Sequence, residues 1–263
     1  MLVNHIQHPQ DLYLRTAPIP MNPIRKFRSS SLFITAAGES LGHVAISKTA
    51  LLAAFLYTLT VVHVLVGIGL YFQDTGHFYS YLTEDGYIEY FTSFFLLATS
   101  LYCLYKAPRM DRKWAKAFYY VAAAVFFFGF GEEISWGQRL LGFEVPEDLE
   151  RINPQSEFNL HNIHLNGVNL NKLIFGKILY LGVFVYFLIF PVLYRHKRWF
   201  RQLVDKIGLP LPTPLQALFY TLLFCSLLLI DDGKKWELQE FVLVSFVFYA
   251  FLMPFNKSAS PPV

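Results

Sequence analysis

The sequence predicts an all-α fold: a polytopic membrane helix bundle of about six transmembrane helices, with an ordered non-cytoplasmic cap between spans three and four. Three observations predict it. The 263 residues are 54% hydrophobic and 18% aromatic but only 16% charged, against roughly 25% in an ordinary soluble domain. The apolar residues come in blocks of roughly 20, the length that crosses about 30 Å of hydrocarbon, and the mean hydropathy is +0.38. The connections between the blocks alternate between cationic and acidic.

Residues 1–48 precede the first block. They carry Pro9, Pro18, Pro20 and Pro23 and several charges but no apolar h-region, so the first span is expected to act as the insertion signal. Within them, 31–48 is mildly apolar, too short and too polar to span, and suits an interfacial helix. The six spans read as 49–72, 87–105, 117–131, 173–194, 214–230 and 239–255. The third and fifth are short, which suits a tilted or partly interfacial placement. The bundle thus covers 49–256, with the cap at 132–172, and 257–263 form a short tail. Both cysteines, Cys103 and Cys225, fall inside apolar blocks, so neither a disulfide framework nor a cysteine-based metal site is expected.

Charge orients the bundle. The N-terminal segment, the 106–116 loop, the 195–213 loop and the tail together hold 16 of the 22 cations but only four acids, Asp11, Glu39, Asp111 and Asp205. Lysine and arginine stay on the cytoplasmic side, so both termini are expected to be cytoplasmic, in a bacterial inner membrane. These cations flank spans and read as topology and lipid contacts, not as a nucleic-acid surface. The opposite side then holds Glu84, Asp85, Glu89, Glu132, Glu133, the 144–164 segment and the run Asp231 to Glu240.

The most telling run is Phe128-Gly129-Phe130-Gly131-Glu132-Glu133-Ile134-Ser135-Trp136-Gly137-Gln138-Arg139. Carboxylates where an apolar helix leaves the bilayer are costly and need a reason. On a helix, neighbours point about 100° apart, so at most one of Glu132 and Glu133 faces a given partner. Either one is a general base or metal ligand, or both are interfacial, or one pairs with Arg139. Residues 133–141 are expected to continue span three as a helix, with Gly142 as its stop.

About 40 residues separate spans three and four, and Trp136, Leu140, Leu141, Phe143, Leu149, Phe158 and Leu160 give them enough to pack. A loop of that length with its own apolar residues is usually functional. Pro146 suits the first turn of a short helix whose positive end meets Glu147, Asp148 and Glu150. If the following run is helical, Glu157, His161 and His164 share one face, and two histidines with a carboxylate make a valid shell for zinc or iron. The bland alternative is solvated histidines, with Asn159, Asn162 and Asn166 capping helix ends or binding a polar substrate. Glu89, Glu237 and Glu240 near helix starts suit either the helix dipole or a site. Asp231 and Asp232 read as a solvated turn. His63, inside span one, is either a donor to a carbonyl on a neighbouring helix or a ligand or proton relay.

Glu132-Glu133 followed by Arg139, then Phe158 and His161, resembles the membrane glutamate peptidases of the CAAX-protease and bacteriocin-processing type. Those carry Glu-Glu-x-x-x-Arg, then Phe-x-x-x-His, then a further histidine. Here five residues separate Glu133 from Arg139 and two separate Phe158 from His161. The resemblance implies that Glu133 activates water with His161 assisting. Glu-Asp-Gly before span two, Gly-Glu-Glu-Ile-Ser-Trp-Gly-Gln-Arg and Asn-Leu-His-Asn also look like a bacterial multi-pass type, which implies no activity.

No Gly-x-Ser-x-Gly, P-loop, dinucleotide fingerprint or His-Glu-x-x-His occurs, which removes the commonest motif-borne chemistries. The leading expectation is a metal- or Glu-dependent hydrolase or transferase acting on a lipid or lipid-linked substrate at the outer face. Its catalytic group is Glu133, Glu132, His161 and Arg139, and Trp136, Gln138, Asn159 and Asn162 contact substrate. The pool of ligands for a divalent zinc, iron or manganese ion is His161, His164, Glu157, Glu89, Glu240 and His63. Two readings of other classes stay open: an ion- or proton-coupled transporter or channel subunit, and a non-enzymatic scaffold whose cap binds a periplasmic partner. The inner halves of the spans hold few ionisable groups, chiefly Lys177, which weighs against a continuous ion path.

Overall fold

A computed structural model describes residues 48–83, 86–153, 156–160, 163–165, 168–169 and 179–260. The expected interfacial helix at 31–48 falls, but for Lys48, outside them, as do His161 and Asn162. The described chain is mostly helical, with one two-residue antiparallel pair, β1 (His164–Leu165) with β2 (Val168–Asn169), in which His164 pairs with Asn169.

Helix α1, Lys48–Gln73, spans 26 residues, about 39 Å at 1.5 Å per residue. Asp74 then leaves helical geometry (φ −156°) and its Oδ1 accepts the N–H groups of Gly76 and His77, capping the short α2, Thr75–Tyr81. An aspartate at this position satisfies donors that the new helix would otherwise leave orphaned. Helices α3, Tyr87–Lys106, and α4, Lys113–Glu133, form the tightest pair. Small residues allow it: a Cβ on Gly129 would stand 3.4 Å from Leu96, and Ser100 donates across the pair to the Ala123 carbonyl at 2.8 Å. Helix α4 therefore begins four residues before the expected start of span three and is long, because the 113–116 stretch, read as loop from its two lysines, packs Ala115 inside.

Within the 132–172 segment lie α5, Gln138–Leu141, and α6, Glu147–Glu150; after it come α7, Leu179–Phe184, and α8, Phe190–His196. Between the last two the helix widens into a π segment at Val185–Ile189. Pro191 explains it: proline has no N–H for the carbonyl four residues back, and the extra residue absorbs the misfit. Helix α9, Arg198–Ile207, ends at Gly208, whose φ of +67° is left-handed and where a Cβ would come within 2.9 Å of Ala115. Helix α10, Pro214–Ser226, starts with a capping box in which Thr213 and Gln216 satisfy each other's backbone N–H.

Helix α11, Lys235–Leu252, forms the centre of the core. It packs on α1, α3 and α10. Tyr249 shows how: its hydroxyl donates to the Leu56 carbonyl at 2.8 Å and lies 2.6 Å from the Thr60 hydroxyl, while its carbonyl accepts from Gln216. Gly67 lets α1 touch α11, since a Cβ there would meet Leu238 at 2.5 Å. The helix starts four residues earlier than the expected span six, so Glu237 lies inside it as Glu240 does.

Among the described residues, four helical stretches are long and apolar enough to cross a membrane: Lys48–Gln73, Tyr87–Arg109, Lys113–Glu133 and Leu179–His196. Pro214–Leu229 is a shorter apolar helix. Cations gather at one end of this unit, where the Arg112 guanidinium donates to the carbonyls of Asp205 and Ser258 and Tyr119 donates to Ala259. Acids gather at the other, where the Tyr79 hydroxyl donates to Asp232 at 2.6 Å.

Candidate functional site

The end of α4 corrects one expectation. The helix does not run on to Leu141. It stops after Glu133, and Ser135, Trp136 and Gly137 then take φ values of +46°, +52° and +77°. Two non-glycine residues in the left-handed region cost about 1–3 kcal/mol each, so something must hold them. Trp136 folds back over the last turn. Its ring meets Phe128 edge-on at 5.5 Å, and its Nε1 donates to Glu132 Oε1 at 2.8 Å. Gly131 makes room, because a Cβ there would lie 2.8 Å from the indole. Helix α5 follows, closed by Gly142 at φ +68°.

The reversal turns a row of polar side chains onto residues 153–160. Glu132, only 4% exposed, accepts the Leu160 N–H on its second oxygen at 2.7 Å. The Gln138 amide accepts the Phe158 N–H at 2.7 Å and donates to the Ser156 carbonyl at 3.2 Å, pairing with backbone as a neighbouring strand would. Arg139 meets Glu157 at 2.7 Å. Asn159 donates to Glu157 at 2.7 Å and to the Ser135 hydroxyl at 3.3 Å, and accepts from Asn153 at 3.0 Å. Asn153 also donates to the Glu157 carbonyl at 2.7 Å. The Arg139 side chain is 47% exposed, so that ion pair contributes roughly 1 kcal/mol or less; the buried amides and Glu132 carry the latch. A cavity of about 220 Å³ remains between the latch and α4, walled mostly by Phe128, Trp136, Leu149 and Phe158.

This geometry corrects the helical reading of the 155–164 run. Residues 156–160 are irregular and His164 sits in β1, because the backbone N–H groups of Phe158 and Leu160 are taken by side chains of the α4 exit. Glu157 presents its carboxyl to Arg139 and Asn159.

Glu133 points the other way. Its carboxyl neighbours that of Glu240, with Glu89 and Glu237 in electrostatic range. Three elements supply these groups: the last turn of α4, the first turn of α3 and the first two turns of α11. Neighbouring carboxylates repel when both are charged, and a proton shared between them removes that repulsion. Lys234 lies 3.6 Å from Glu237, and Tyr180 on α7 is within electrostatic range of Glu240 and Glu237. All four glutamates are half-buried. Glu89 and Glu237 also occupy first helical turns, so the dipole and the cluster place them together.

The other candidates stand apart. His63 Nδ1 is 2.6 Å from the carbonyl of Leu59, on its own helix; a carbonyl only accepts, so Nδ1 carries the hydrogen. Its ring stacks on Tyr87 at 5.4 Å and meets Phe91 at 5.0 Å. Asp232, read as a solvated turn, instead tethers α2 through Tyr79 and accepts the Lys234 N–H at 2.7 Å. Among the described residues no group of three or more histidines, cysteines, aspartates or glutamates is arranged to hold a metal ion. Ser135, Asn153 and Tyr180 belong to the site region although no pattern in the sequence marks them. Nothing local in a tyrosine near the end of a span signals a partner on another helix.

The chain matches no family model, no curated protein and no solved structure, so its site is read from its own geometry.

Proposed function

We propose that this is a six-span inner-membrane protein, both termini cytoplasmic, whose outer-side glutamate cluster is the catalytic centre of a hydrolase or transferase acting on a lipid-linked substrate. In this reading α10 and α11 complete the six spans and the 132–172 segment caps the outer end. One observation carries it: the convergence of Glu133 and Glu240 from two helices, flanked by Glu89 and Glu237. A carboxyl pair sharing one proton supplies a base and an acid side by side. Glu133 takes a proton from water, the hydroxide adds to a carbonyl carbon, and the proton held by Glu240 passes to the leaving group as the bond to it breaks. The bond attacked is a neutral ester or amide, because four carboxyls repel a phosphate. Glu132 and Arg139 position the α4 exit by holding the latch and touch no reacting atom.

The test is mass spectrometry of membrane lipids and lipid-linked peptides from cells expressing the wild type or Glu133→Gln. A species that the wild type consumes and the variant leaves intact supports the reading. Identical profiles from equally abundant, folded proteins overturn it.

One observation favours a second reading, an ion- or proton-coupled carrier. Lys106, at the opposite end of α3 from Glu89, is buried, with Nζ 5.0 Å from the Tyr102 ring and 5.3 Å from that of Tyr119. Ionisable groups at both ends of one intramembrane helix are what a relay needs. Proton flux in proteoliposomes that disappears in Glu89→Gln would select it over the hydrolase.

A further inference from the structure

The cationic end of the bundle is more than a topology signal. Its guanidinium groups are already engaged. Arg112 donates to the carbonyls of Asp205 and Ser258, and Arg201 donates to those of Tyr194 and Arg195, capping α8. Arg109 lies over the Tyr105 ring and donates to the Tyr105 carbonyl. Two lysines differ. The Nζ atoms of Lys113, at the start of α4, and Lys206, near the end of α9, lie 5.7 and 5.5 Å from the centre of one indole, Trp114. Among the described residues neither ammonium meets a carboxylate. The nearby acid on α9, Asp205, is occupied by the Tyr194 hydroxyl at 2.8 Å.

Two like charges around one ring repel, and a single anion between them removes that repulsion. Trp114 is 53% exposed, and an indole with one apolar body and one N–H settles at the depth of lipid headgroups. Helix α9 extends the surface. Phe200 and Val204 are buried while Trp199 and Leu203, also four residues apart, are exposed at 62% and 47% beside Arg198 and Lys197. An apolar edge bordered by cations suits a helix lying in the interface of an anionic leaflet.

We propose that Lys113, Trp114 and Lys206 form a headgroup site for an anionic phospholipid, with Trp199 and Leu203 seating α9 in the same leaflet. The phosphate lies between the two ammonium groups and the acyl chains run down the exposed faces of α4. The site is at the opposite end of the bundle from the glutamate cluster and stands independently of any catalysis there.

Native mass spectrometry of the detergent-purified full chain tests it, titrating phosphatidylglycerol and phosphatidylcholine of the same acyl chains. The wild type is expected to retain phosphatidylglycerol in preference. Lys113→Gln with Lys206→Gln is expected to weaken that binding about 30-fold, from roughly fivefold per cation, while Lys113→Arg with Lys206→Arg keeps it. Equal retention of both lipids by the wild type overturns the proposal without recourse to a variant. So does unchanged phosphatidylglycerol binding in a folded double glutamine variant. Displacement of the lipid by an equal concentration of free glycerol 3-phosphate would assign the site to a soluble phosphate and overturn it as well.

Discussion

Glu132 holds the backbone N–H of Leu160 at 2.7 Å across 28 residues of chain, while its other oxygen takes the indole N–H of Trp136. The next residue, Glu133, faces the Glu240 side of the bundle. The 100° step between helical neighbours divides the two adjacent glutamates between the latch and the core of the bundle.

That division sets the first prediction. Glu132→Ala removes the acceptor for two N–H donors in a buried position, at a cost of about 3 kcal/mol. Glu132→Gln keeps one acceptor oxygen and costs about half as much. Thermal unfolding in detergent reads the order, and limited proteolysis should open the 143–160 segment in Glu132→Ala before the helices unfold. Equal stability of Glu132→Ala and the wild type would show that the latch holds nothing.

Gly131 and Trp136 are coupled. Gly131→Ala pushes a methyl into the indole, where the gap is only 2.8 Å, and should destabilise by roughly 1–3 kcal/mol. In a Trp136→Ala background the clash has no target, so the same substitution should cost close to nothing. A double-mutant cycle measures the difference; additive losses would show that the indole does not sit over Gly131.

Gly142 isolates backbone strain from packing. It sits at φ +68°, and a methyl group added there would find no atom within 4 Å. Gly142→Ala should therefore cost about 1 kcal/mol through conformation alone. Denaturant titration of the folded protein checks this, and a stabilising effect would contradict the left-handed cap.

The Tyr79–Asp232 tether should respond to pH at both extremes. The phenol hydrogen bond holds the Asp232 carboxyl below its usual range, and the same bond raises Tyr79. A lowered carboxyl contributes stability that is present above the ordinary carboxylate pKa and is lost as pH falls through the folded value. A raised phenol contributes stability that is present below the ordinary tyrosine pKa and is lost as pH rises through the folded value. Between those limits the tether is intact. Protection factors for hydrogen exchange along α2, measured against the intrinsic rate at each pH, should be high at neutral pH and fall in acid in the wild type, and be low at both in Tyr79→Phe; a Tyr79→Phe protein as protected as the wild type at neutral pH would show the tether to be idle.

The apolar blocks and the alternation of charge determine by themselves that the chain folds as helices able to enter a membrane, with cations at one end and acids at the other. Both properties are set by transfer free energy residue by residue, so they need no knowledge of neighbours. Local chemistry also reads correctly where one residue suffices, as at Gly142. Tertiary structure decided the rest. The α4 helix ends at Glu133 because the Trp136 indole finds Gly131 and Glu132, a contact that overrides the helical pattern of the run after it. The 156–160 segment loses its helix to side chains from a distant turn. Glu133 meets Glu89, Glu237 and Glu240 only because three helices bring the same end together, and the approach of two carboxyls from different helices has no signature in the spacing of either one.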